Sequence, residues 1–105
     1  MTRLSTHILD TSQGKPAPGV PVRLYAVHRL LSSNVTDADG RCQNLLPDGQ
    51  AHNPGVYRIV FDFAAYFPNG LYPEVSISFR ASDGVPHYHI PLLISPFGYT
   101  TYRGS

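Results

Sequence analysis

Val75-Ser76-Ile77-Ser78-Phe79-Arg80-Ala81 alternates apolar and polar side chains at every step. Successive side chains of an extended strand point to opposite faces. Val75, Ile77, Phe79 and Ala81 are therefore expected inward, with Ser76, Ser78 and Arg80 outward. Residues 56–63 read the same way, with Tyr57, Ile59, Phe61 and Phe63 on one face and Arg58 and Asp62 on the other. Residues 20–27 set Val20, Val22, Leu24 and Ala26 against Arg23 and Tyr25. Residues 4–9 split into Leu4, Thr6 and Ile8 on one side and Ser5, His7 and Leu9 on the other. A weaker strand is read at 30–36 and a further one at 41–46, and strands at 87–95 and 99–103 complete the set. Ten Pro and nine Gly in 105 residues leave little room for long helices.

Between these runs, residues 10–19 form a loop rich in Gly, Pro and small polar residues. Asp37-Ala38-Asp39-Gly40 is a turn signal, because Asp bonds its own backbone and Gly accepts positive φ. An EF-hand is excluded there, since its sixth and twelfth positions would be Cys42 and Asp48 rather than Gly and Glu. Residues 47–55 hold one short helical turn at most, and residues 64–73 are irregular. The sum is an all-β chain of about eight short strands, the pattern of an antiparallel β-sandwich. No internal repeat or linker interrupts it, so residues 1–105 are expected to form one domain. Leu9 beside His7, and Leu93 beyond His87 and His89, lie opposite the more apolar faces. One sheet is thus expected to be covered on both sides, by contacts between subunits.

A net charge of +1 with His neutral gives no electrostatic case for nucleic acid or an anionic membrane. Cys42 is alone, so no intrachain disulfide framework exists, and it reads as a partly buried thiol. The opening residues MTRLSTHILD lack a signal-peptide pattern. A reducing compartment, most simply the cytoplasm, is expected.

The chemistry concentrates in residues 87–105, HYHIPLLISPFGYTTYRGS. His87 and His89 share one strand face, with Tyr88 on the other. They can be an acid–base pair near neutral pH, two ligands of a metal completed by His7, or simply outward polar residues. Arg41 and Arg103 are candidate substrate cations. Gly104 permits close backbone approach, and Ser105 adds a hydroxyl. No Gly-x-Ser-x-Gly elbow and no Gly-rich phosphate loop is present. The segment is expected to be part of a site that the rest of the chain holds in place.

On three stretches the chain resembles the 5-hydroxyisourate hydrolases, the transthyretin-related enzymes of urate breakdown. LSTHILDTSQGKPAPGVPVRLY carries His7, the 36–41 stretch TDADGR carries Arg41, and the third is HYHIPLLISPFGYTTYRGS with its terminal YRGS. The resemblance implies a transthyretin-like sandwich of two four-stranded sheets, assembled as a homotetramer, a dimer of dimers with sites at the interface between dimers. It implies that His7, Arg41 and His89 are catalytic. Tyr102, Arg103, Gly104 and Ser105 would bind substrate, with His87 as a possible accessory. The implied substrate is 5-hydroxyisourate, with no metal and no other cofactor. The alternative is a non-enzymatic small-ligand binding protein of the transthyretin kind.

Overall fold

The computed structural model describes residues 3–47 and 53–105. Among these residues there are nine strands and no helix: β1 (Arg3–Asp10), β2 (Lys15–Pro16), β3 (Pro21–Ala26), β4 (Arg29–Val35), β5 (Arg41–Cys42), β6 (Gly55–Asp62), β7 (Glu74–Ala81), β8 (His87–Ser95) and β9 (Gly98–Thr101). One sheet runs β4-β3-β6-β7 and is antiparallel throughout. The other runs β2-β1-β8-β9, with β5 also paired to β1. The two sheets close on each other as an all-β sandwich.

The alternation in the sequence explains the core. Val22, Leu24, Ile59, Phe61, Val75 and Ile77 from one sheet are buried with Ile8, Ile90, Leu92 and Ile94 from the other. The irregular 64–73 stretch is held by an aromatic cluster of Phe63, Tyr66 and Phe67. Tyr66 also donates its hydroxyl to Asp10 Oδ2 at 2.8 Å, tying this stretch to the end of β1. Asp10 is buried, which opposes ionisation. Hydrogen bonds from Ser12, Tyr66 and Gln13 outweigh that burial and hold its carboxyl below the ordinary value.

Four details differ from the expectation. The sheet that contains β1 has five strands rather than four, because Lys15–Pro16 within the predicted loop pairs with Leu9 and Asp10. The predicted 41–46 strand stops at Cys42. Beyond it Asn44 Oδ1 accepts from the N–H groups of Leu4 and Leu46, a side chain replacing the ladder while Leu45 turns into the core. The last strand ends at Thr101 rather than Arg103. In its register Tyr102 faces Pro91, which has no N–H, and the ladder lapses until Gly104 donates to His89 O at 2.7 Å. Finally, β1 and β8 run parallel, the one parallel pair among the described strands. The helical turn allowed at 47–55 falls largely on residues outside those described.

Candidate active site

The parallel β1–β8 pair builds the site. Its register sets Arg3 level with His87, Ser5 with His89, and His7 with Pro91. Leu4, Thr6 and Ile8 turn inward, so Ser5 and His7 share the outer face with His87 and His89.

The 37–41 turn adds the cation. Asp37 Oδ1 accepts from the N–H groups of Asp39 at 2.9 Å and Arg41 at 3.0 Å. These two bonds fix the shape of the turn. Gly40 has φ 74° and its carbonyl accepts from Ile8 N–H at 2.7 Å. A Cβ on Gly40 would stand 2.5 Å from Ile8 O, so only Gly lets the turn lie this close to β1. Arg41 is thereby set opposite His7.

Gly104 closes the row from the other side, opposite His89. The His89 ring is consequently held at two edges. Its Nδ1 lies 2.8 Å from Ser5 Oγ, and its Cδ2 faces the Gly104 backbone. His87 Nε2 also lies 2.8 Å from Ser5 Oγ. The remaining nitrogen, His89 Nε2, has no hydrogen-bond partner among the described residues. Burial depresses the His89 pKa below its ordinary 6.5, and the positive fields of His87, Arg41 and His7 add to the effect against a hydrogen bond at Ser5. His89 is therefore neutral at pH 7 and has the form a general base needs.

A cavity of about 200 Å³ opens above this row. Arg3, Ser5, Arg41, Gln43, His87, His89 and Ser105 line it. Of the residues singled out in the sequence, Arg41, His87, His89 and Ser105 thus share one wall, and Gly104 backs it. His7, Tyr102 and Arg103 do not line the cavity. His7 Nε2 lies 2.9 Å from the Asp39 carbonyl. A carbonyl only accepts, so this nitrogen carries a proton. Arg103 extends over the ring of Tyr88, 5.1 Å from its centroid, on the side of the strand opposite the His pair. Tyr102 is exposed.

Cys42 borders the cavity with its thiol pushed up to about 11 by burial and by the charge of Asp37. It is a protonated core thiol and not a nucleophile. Among the described residues no group of three His, Cys, Asp or Glu is placed to hold a metal ion. Ser5 was not singled out in the sequence. Its sharing a face with His7 was visible there, but the parallel register that sets it between two imidazoles was not.

The HIUase/Transthyretin family profile matches residues 4–104. A 5-hydroxyisourate hydrolase of Pseudomonas aeruginosa is 38% identical over 117 aligned positions, which take in 100% of this chain and 93% of that protein. The structure of Klebsiella pneumoniae 5-hydroxyisourate hydrolase matches with a TM-score of 0.89 at 38% identity, covering 100% of both chains. Transthyretin from Sparus aurata matches with a TM-score of 0.86 at 33% identity, covering 99% of this chain and 97% of that one.

Proposed function

The chain belongs to the HIUase/Transthyretin family, and on that premise we propose that it is an enzyme, a 5-hydroxyisourate hydrolase of urate degradation. The substrate's six-membered ring is opened at an amide bond, and the product is 2-oxo-4-hydroxy-4-carboxy-5-ureidoimidazoline. The observation that carries this reading is the small polar cavity that His89 and Arg41 share; burial and the neighbouring positive fields lower the His89 pKa and so favour its base form there. A binding channel for an apolar ligand calls for an apolar lining at these positions. The non-enzymatic reading is accordingly the weaker one.

In the mechanism, His89 Nε2 takes a proton from water as the water oxygen adds to the ring carbonyl carbon. Arg41 stabilises the oxyanion that develops there. His7, opposite Arg41 but off the cavity wall, acts on the site through its field at His89. Collapse of the tetrahedral intermediate breaks the C–N bond, His89 returns its proton to the departing ring nitrogen, and the new carboxyl group ionises. Positioned acid–base catalysis contributes about 10²–10⁴-fold, and orientation and oxyanion stabilisation supply the rest. Gly104 and Ser105 orient the substrate. The steps require no metal or redox cofactor.

The proposed assembly is a homotetramer built as a dimer of dimers. Leu9 and Leu93, only half buried on the outer face, support it, as do the open edges of β7 and β9. Tyr102 and Arg103, both exposed and off this copy's cavity wall, would bind substrate from a neighbouring copy in that assembly. No helix among the described residues is long and apolar enough to cross a membrane. Cys42 is free, which suits a reducing compartment, and the cytoplasm is the proposed location.

The test is isotopic. With substrate generated in H₂¹⁸O by urate oxidase and the chain added at once, the ureidoimidazoline carboxylate should acquire one ¹⁸O during enzymatic turnover. A catalysed loss of substrate giving a product without solvent oxygen in the carboxylate would refute hydrolysis.

A further inference from the structure

Ser5 Oγ stands 2.8 Å from His89 Nδ1 and 2.8 Å from His87 Nε2. A serine hydroxyl has one proton to give and two lone pairs to accept with. Two arrangements place its proton between the rings; a third, in which both imidazoles donate to Oγ, turns that proton away and forms no relay. In the first, Ser5 donates to His89 Nδ1. His89 then carries its proton on Nε2, the nitrogen that faces the cavity, and has no lone pair there for water. In the second, His89 Nδ1–H donates to Ser5 Oγ, and Ser5 donates to His87 Nε2. His89 Nε2 is then bare.

We propose that Ser5 is a positioning residue that holds His89 in the second arrangement and links it to His87 as a proton relay. The inference rests on the hydrolase reading and assigns His87 the part that the sequence left open. When His89 Nε2 takes a proton from water, its Nδ1 proton passes to Ser5 Oγ. The hydroxyl proton of Ser5 passes in turn to His87 Nε2. One proton has entered the chain at His89 Nε2 and the charge rests on His87, which is the more exposed of the two rings. His89 is left neutral with a proton on Nε2, ready to give it to the departing ring nitrogen. As it does so, Ser5 returns a proton to His89 Nδ1 and His87 returns one to Ser5, so that the starting state is restored and no ring is left without a proton.

The geometry fixes which nitrogen meets Ser5. The Cδ2 edge of His89 is packed against Gly104, and Nδ1 is the ring atom turned to Ser5. Ser5 itself is buried in the middle of β1, with its partners 82 and 84 residues away in sequence.

The test is ¹⁵N NMR of the histidine rings in the full chain, paired with kinetics. At neutral pH, His89 is expected to show a protonated Nδ1 and a bare Nε2. Ser5→Ala should shift the ring toward Nε2–H and lower kcat by about 10²-fold with KM nearly unchanged. Ser5→Thr, which keeps the hydroxyl, should restore both. Ser5→Ala and His87→Ala should not multiply in the double variant, because each breaks the same relay. A protonated Nε2 in the wild type, or a tautomer indifferent to Ser5→Ala, would overturn the proposal. The tautomer is read without substrate, so failure here is separable from failure of the hydrolase reading, in which the wild type itself would not turn over.

Discussion

Gly104 lies so close to His89 that a Cβ at position 104 would stand 2.5 Å from the ring's Cδ2 and 3.2 Å from Cγ. The glycine is thus a spatial requirement of the imidazole and not only a strand terminator. Gly104→Ala should push the ring off its Ser5 contact. A displacement near 1 Å lowers rates by about 10²-fold, and kcat is expected to fall by roughly that factor. The melting temperature should hardly move, since Gly104 lies outside the core. Wild-type kcat in this variant would show that the ring has room the structure does not give it.

The depressed pKa of His89 fixes the direction of a pH profile. Burial is the first cause, followed by the charges of His87, Arg41 and His7. The base form therefore persists below the ordinary 6.5, and kcat/KM should be flat near pH 7 and fall only on acidification past 6.5. His87→Gln removes one depressing charge and should move the acid limb up toward 6.5. Stability follows the same sign. The unfolded chain binds this proton more tightly than the folded one. The contribution of His89 is thus intact above 6.5 and declines as pH falls from there through the lowered folded value. An acid limb above 6.5 would contradict the assignment.

Asp10 should govern stability without touching the cavity. Its carboxylate accepts from Ser12, Gln13 and Tyr66, and Tyr66 is in turn pushed up to about 12 by burial and by Asp10. Asp10→Asn keeps the shape but turns one acceptor into a donor facing these groups. The expected loss is about 1–3 kcal/mol, read by denaturant unfolding. Because the folded pKa is lowered, the carboxylate's contribution is present above the ordinary 3.8 and fades as pH falls through the lowered value.

Val27 holds φ 59° at the tip of the β3–β4 hairpin, with its side chain 75% exposed. A β-branched residue is strained in this region, which Asn occupies readily. Val27→Asn should stabilise the chain by about 1 kcal/mol, raising the melting temperature by a few degrees and leaving activity unchanged. A lower melting temperature would mean that the Val27 side chain packs against something in the assembly.

The sequence revealed strands wherever one face is buried, because alternation is then enforced. The 74–81 and 55–62 strands are read almost to the residue for that reason. Partners were harder to read than elements. Nothing local announces that β1 lies parallel to β8, since that pairing closes a loop of more than eighty residues and its reward is tertiary. Ser5 was hidden for the same reason, appearing as an ordinary outward serine until the register was known. Arg103 shows the reverse case. Its chemistry was legible, but its direction depends on Gly104, not Arg103, facing His89. Residue types in the site were thus readable, while the side on which each one lands was set by register.

The most direct test of the hydrolase reading is the ultraviolet decay of freshly generated 5-hydroxyisourate. Wild-type protein should accelerate the loss well beyond the spontaneous rate, and His89→Ala, checked for an unchanged fold, should lose most of that acceleration. Decay at the spontaneous rate with wild-type protein, or undiminished turnover by His89→Ala, would contradict the account.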